Sequence, residues 1–278
     1  MVEVEEFFDL FFYRPLAFIL VKTIYSTNIT PNQLTITSIC FGLAAACVYA
    51  TGSRAACSYG ALLFMIYNII DCSDGQLARL KKNGTPAGRI IDGMADYIST
   101  IAVFLGLGVG YPDHRYQFGY WWLLLIVAGA SNLFQSVVVD YYRNRFLDYI
   151  LQKKSTFEED LDSFKQEYNR IKDQRGKWFD RWIIKAYFKY SALQRKLTAK
   201  KEGVKLFTAS PQEYYKKNKV AIRLWVLIGP TAQVTMLMIC SFLNRFDIFF
   251  WLIIGLFNAI GVIMLIVQRN IDKTFKTN

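Results

Sequence analysis

Two short stretches carry the residues best suited to chemistry: Asp71-Cys72-Ser73-Asp74-Gly75-Gln76-Leu77-Ala78-Arg79, then Gly88-Arg89-Ile90-Ile91-Asp92-Gly93-Met94-Ala95-Asp96. On a helix, Asp71, Asp74 and Ala78 lie three and four residues apart and share a face; Gly88, Asp92 and Asp96 are each four apart and share another. The link Lys81-Lys82-Asn83-Gly84-Thr85-Pro86 contains Gly and Pro and reverses the chain. The two helices are then expected to run antiparallel, with four carboxylates converging. Such a group repels itself and is costly to desolvate, so a cation belongs among them. Hard oxygen donors without His or Cys favour Mg²⁺ or Mn²⁺ over zinc. Magnesium in such sites commonly also holds substrate phosphates. Gly75, Ala78 and Gly88 leave room for a ligand or a close neighbouring helix, and Arg79 is placed to hold a diphosphate. The chemistry indicated is metal-assisted phosphoryl-type transfer. The competing reading, helix-end carboxylates that merely face water, accounts for one or two aspartates more readily than for four with intervening glycines.

The elements that must position these residues are set by hydropathy. The chain has 278 residues, is 53% hydrophobic and 20% charged, and carries a net charge of +11. A bilayer core takes about 20 apolar residues per helix. Candidate spans are Leu34–Gly52, Ala55–Ile70, Tyr97–Tyr111, Phe118–Val139, Leu224–Asn244 and Ile248–Gln268, the second and third being short and running into the charged motif. The fold class expected is all-α, a polytopic membrane protein with six transmembrane helices, which excludes a soluble globular domain. The acidic start Met1-Val2-Glu3-Val4-Glu5-Glu6 is not a signal peptide. Cys40, Cys47, Cys57, Cys72 and Cys240 show no repeated spacing, so neither a disulfide framework nor a zinc site is indicated. The single histidine, His114, lies in a loop, which argues against a histidine base.

Of the 33 basic residues, all but Arg54, Arg115, Arg223 and Arg245 fall on one side of such a six-span chain. The positive-inside rule makes that side, with both termini and the aspartates, cytoplasmic. The organisation expected is an interfacial amphipathic N-terminus (1–33), a membrane core (34–145 and 219–269), a basic cytoplasmic helical insertion (146–218) and a short tail (270–278). The insertion carries most of the excess charge. Ser155 and Glu158 fit a capping box for a helix through about Arg175. A second helix would line up Lys177, Arg181, Lys185 and Lys189 beside Trp178 and Trp182, a pattern that suits either anionic lipid headgroups or a solvated hairpin; nucleic-acid binding does not suit a loop tethered to a bilayer. The N-terminal Phe7-Phe8-Asp9-Leu10-Phe11-Phe12-Tyr13 is expected to lie at the interface.

The motif resembles the signature of the CDP-alcohol phosphotransferases: Asp, two residues, Asp-Gly, two residues, Ala-Arg, eight residues, Gly, three residues, Asp, three residues, Asp. Asp71, Asp74, Gly75, Ala78, Arg79, Gly88, Asp92 and Asp96 fill every fixed position. Thr30-Pro31-Asn32, before the first span, is also similar to the family. The resemblance implies transfer of a phosphatidyl group from a CDP-linked lipid, CDP-diacylglycerol, to an acceptor alcohol with release of CMP. It implies two divalent ions, Mg²⁺ or Mn²⁺, among Asp71, Asp74 and Asp92, with Asp96 near them as general base. Gly75 and Ala78 would accommodate the cytidine beside Gly88, Arg79 would hold its phosphate, and the protein would be a homodimer. The long insertion falls outside the resemblance.

Family members with phosphorylated acceptors bind them through basic residues of later spans. Arg143 and Arg145, Arg223, and Arg269 resemble that set, as in phosphatidylinositol-phosphate synthases. Snorkelling of helix-end arginines is the alternative. Inositol 1-phosphate is the first expected acceptor, glycerol 3-phosphate the second, and an unphosphorylated alcohol such as inositol or serine the third. A transporter would instead show broken midplane spans and a two-half repeat. A silent scaffold would tolerate Asn at the aspartates. A compact core without a signal peptide fits a bacterial inner membrane.

Overall fold

A computed structural model describes residues 2–152, 156–172, 174, 178, 180–185, 187, 188 and 210–275. It is all-α. A π-helical turn, Asp9–Tyr13, leads into α1 (Arg14–Ile24). There follow α2 (Pro31–Tyr49), α3 (Arg54–Lys81), α4 (Pro86–Gly110), α5 (Phe118–Leu151), α6 (Thr156–Ile171), α7 (Pro211–Val226), α8 (Pro230–Leu243) and α9 (Phe246–Lys273), the last with a π-helical stretch at Trp251–Phe257. Six stretches are long and apolar enough to cross a membrane: Pro31–Tyr49, Arg54–Lys81, Gly88–Gly110, Phe118–Leu151, Pro211–Leu243 and Phe246–Lys273. These are the six expected, with the fifth starting earlier and broken between Val226 and Pro230. The second and third are not short: α3 and α4 stay helical through the charged motif. Hydropathy ends at Asp71, but backbone hydrogen bonding continues until Lys82 turns left-handed at φ 52°.

The helix starts follow local chemistry. Thr30 and Gln33 form a reciprocal capping box with Pro31 at the first helical position of α2. Ser53 caps α3, and Thr85 caps α4 by accepting the Gly88 N–H at 3.0 Å.

The motif helices α3 and α4 are each packed along α2 rather than along each other. The chain does reverse at 82–85, and α2 packs against both arms, which meet each other through side chains such as Tyr67 and Asp96. Small residues let α2 and α4 approach. A Cβ on Gly106 would sit 2.2 Å from the Ala46 carbonyl oxygen, and one on Gly42 would sit 2.6 Å from Ser99 Oγ. Because backbone cannot yield as a side chain can, Gly106→Val is expected to cost about 3 kcal/mol, read as a lower unfolding midpoint in detergent. Large apolar side chains such as Ile36, Leu105, Ile126, Leu133 and Ile263 are exposed around the bundle, as a lipid-facing surface requires.

The N-terminal segment presents apolar residues on both its buried and its exposed side. Tyr13, Ala17 and Val21 are buried, while Phe7, Phe11, Phe18 and Ile19 face outward. In the insertion, α6 ends at Ile171, and residues 180–185 are helical. Phe164, Ile171, Ile183 and Ile184 bury together with Ile90 of α4, and Arg89 donates to Ser163 Oγ at 3.0 Å. The insertion's apolar face is thus spent on the start of α4, within the motif, and Trp178 and Trp182 are exposed. Ser155, Arg175, Lys177 and Lys189 lie outside the described residues.

Candidate active site

The last turns of α3 and the first turns of α4 bring three carboxylates together. One oxygen each from Asp71, Asp74 and Asp92 lies within 4.8 Å of the others. At that separation, two ionised carboxylates repel by roughly 3 kcal/mol at an effective dielectric of about 20. Asp74 is buried and accepts a hydrogen bond from Thr35 Oγ1 of α2 at 2.5 Å. Asp71 Oδ1 is buried with no hydrogen-bond partner among the described residues. Three converging hard donors, one of them an orphaned buried oxygen, suit a divalent cation. The nearest soft donor on the same turn, Cys72, instead points its thiol at Asp9 Oδ1, 3.5 Å away.

Asp96 is not one of the three residues whose oxygens lie within 4.8 Å of one another, but it is a charged neighbour of all of them. It is exposed, and its Oδ1 accepts a hydrogen bond from the Tyr67 hydroxyl at 2.7 Å. The four aspartates are charged neighbours, as expected of the motif, three of them with oxygens within 4.8 Å and the fourth bonded to Tyr67. One helical turn of α4 carries Asp96 past the cluster, toward a residue one turn before Asp71 on α3.

The small residues divide into two kinds. A Cβ on Gly88 would lie 2.7 Å from Asn32 Oδ1 and 3.0 Å from Thr85 Oγ1, so a neighbour takes its space. A Cβ on Gly75 would meet only Arg79, at 3.6 Å, so Arg79 lies along an otherwise open Gly75 face. Ala78 is half-buried beneath Gly84.

Sequence reasoning missed Thr35 and Tyr67. Tyr67 carried a usable signal, since it precedes Asp71 by four and shares its face. Thr35 carried none, because its partner lies 39 residues away.

Two of the four arginines are committed to carboxylates of the chain. Arg145 pairs with Asp272 at 2.8 Å, half-buried, which ties α5 to α9. Arg223 lies 3.5 Å from Glu3 Oε1, which also accepts from the Tyr215 hydroxyl at 2.8 Å. Arg143 has Glu6 and Asp140 as charged neighbours. Arg269 is exposed near the end of α9.

A helical core with six stretches apolar enough to cross a membrane and a carboxylate cluster at the junction of two of them describes a multi-pass membrane protein with a site that could hold a metal ion. Residues 28–153, from just before the Thr30 cap to just past the end of α5, match the family model described as CDP-alcohol phosphatidyltransferase. All eight motif positions fall within the match. The family transfers a phosphatidyl group from a CDP-alcohol to an acceptor and is metal-dependent. The match supports an enzymatic activity, and the six apolar helices support a multi-pass membrane protein. No curated protein matches the chain in sequence.

Proposed function

We propose that this protein transfers the phosphatidyl group of CDP-diacylglycerol to an acceptor alcohol at the cytoplasmic face of its membrane and releases CMP. The observation that carries this reading is the trio Asp71, Asp74 and Asp92 within 4.8 Å, with Asp96 beside them bonded to Tyr67. Asp71, Asp74 and Asp92 would hold two divalent ions, Mg²⁺ or Mn²⁺. Such ions, when bound, neutralise the cluster, polarise the diphosphate and stabilise charge on departing CMP.

The chain's own residues do the rest. Arg79 pairs with the cytidylate phosphate, and the open face of Gly75 with Ala78 admits the cytidine. Thr35 fixes the orientation of Asp74, and Tyr67 that of Asp96. Asp96 takes the proton of the acceptor hydroxyl as its oxygen bonds to the phosphatidyl phosphorus. The bond from that phosphorus to the CMP oxygen breaks, and CMP leaves with the electron pair. The protein acts as a homodimer, and Trp178 and Trp182 with the nearby basic residues rest on anionic headgroups.

Inositol 1-phosphate is the acceptor we favour, held by Arg143, Arg223 and Arg269. One observation favours a second reading: Glu3 and Asp272 already engage Arg223 and Arg145, which lowers the positive charge offered to a phosphate. An unphosphorylated alcohol would suit that arrangement. The test supplies the purified protein with CDP-diacylglycerol, Mg²⁺ and one acceptor at a time, and follows CMP and the new lipid together. Turnover with inositol 1-phosphate but not inositol is expected, with Arg223→Gln raising the acceptor KM about tenfold or more, the worth of a charge-assisted hydrogen bond. Turnover with inositol or serine alone would make these arginines helix anchors. No CMP release with any acceptor would overturn the reading.

A further inference from the structure

Each acid at the start of the chain has a place. Glu5 and Asp9 pair with Arg14. Glu3 meets Tyr215 and Arg223. Glu6 goes deepest: it is 6% exposed, and its Oε2 accepts the backbone N–H of Ala232 at 3.0 Å, from 226 residues away. Ala232 lies in the first turn of α8, and α8 begins at a break in the fifth span, where α7 stops at Val226 and Pro230 restarts the helix. First-turn N–H groups have no acceptor within their own helix. The residue that would ordinarily supply one, the N-cap, is here Gly229, with no side chain. A Cβ at Gly229 would sit 2.4 Å from Glu6 Cδ and 2.5 Å from its Oε1. The missing side chain of Gly229 and the carboxyl group of Glu6 fill one space between them.

The same segment touches the acidic turn of α3. Gln76 Nε2 donates to the Arg14 carbonyl at 3.1 Å, and Cys72 Sγ to Asp9. The Tyr13 hydroxyl lies 3.0 Å from Thr235 Oγ1 in α8. The N-terminal strap thus joins the helix that carries Asp71 and Asp74 to the span that carries Arg223.

We infer that Glu6 is a positioning residue: by capping α8 across the break, it seats the N-terminal strap and sets the fifth span, with Arg223, against the acidic turn of α3. Its effect on turnover rests on the transferase reading; the seating does not. Charge adds a pH dependence. Burial pushes the Glu6 carboxyl up to about 7 from its ordinary 4.5, against the Ala232 N–H and Arg143, which lower it; Asp9 and Asp140 add to the rise. A raised acid holds its proton more tightly in the docked state. Docking is therefore strongest in acid, weakens as pH climbs from about 4.5 to about 7, and levels off above.

The experiment uses the full chain in lipid nanodiscs and reads the hydrogen-exchange protection factor of a peptide covering residues 2–13, together with turnover. Glu6→Ala and Gly229→Ala are each expected to lower protection about tenfold, the worth of a helix cap. The double variant should be no worse than either single one, because both remove one contact. Glu6→Gln keeps an acceptor for Ala232, so protection should persist while its change between pH 5 and 8 disappears. Glu6→Ala should raise the acceptor KM and leave the CDP-lipid KM unmoved. Additive single effects, or unchanged protection in Glu6→Ala, would overturn the seating. Lost protection with wild-type KM values would overturn the positioning role. A wild-type protein that turns over no acceptor would sink the transferase reading, while the exchange comparison would still decide the seat.

Discussion

Asp92→Asn is expected to abolish CMP release, by about a thousandfold or more, while leaving the helical bundle folded. Asp92 is the one member of the trio contributed by α4; Asp71 and Asp74 both come from α3. Removing it leaves two donors of the trio, both on a single helix. A bound divalent ion supplies several kcal/mol of charge stabilisation in such transfers, and each 1.36 kcal/mol is tenfold in rate. The fold should not suffer, because the substitution relieves repulsion of roughly 3 kcal/mol per ionised pair. Metal-free Asp92→Asn should therefore unfold at the same temperature as the parent or higher. Direct Mn²⁺ binding, followed by spin resonance, should weaken in step with activity. Metal-dependent turnover retained at the parental rate would instead favour a silent scaffold with an acidic surface.

Asp96→Asn is expected to lower kcat by a factor of about 10² to 10⁴, the range for loss of a general base, with a different signature. Asp96 lies outside the 4.8 Å cluster and is held by Tyr67. Mn²⁺ affinity and the KM for the CDP-lipid should then stay at parental values while kcat falls. Were Asp96 a fourth metal ligand, as the motif alone suggests, metal affinity would fall together with kcat. The two measurements on one variant separate a base from a ligand.

Much of this protein is legible in one dimension, because its determinants are local. Apolar run lengths yield the six spans, since each helix satisfies its own backbone in lipid. Spacings of three and four place Asp71 with Asp74 and Asp92 with Asp96. Thr30, Thr85 and Lys82 start and stop helices through bonds to near neighbours. The motif's chemical character follows from donor type alone.

The tertiary structure decided what depends on distant partners. It packed α2 against both α3 and α4, the latter through close approaches that require glycine at positions 42 and 106. It gave Asp96 a partner in Tyr67. It assigned Arg145 to Asp272 and Arg223 to Glu3, where periodicity could show only that both arginines end helices. It brought Glu6 to Ala232 across 226 residues. A helix face can be counted from a repeat of 3.6 residues; which face meets which is chosen by packing and by the demand that every buried polar group find a partner, and no spacing within one segment encodes that choice.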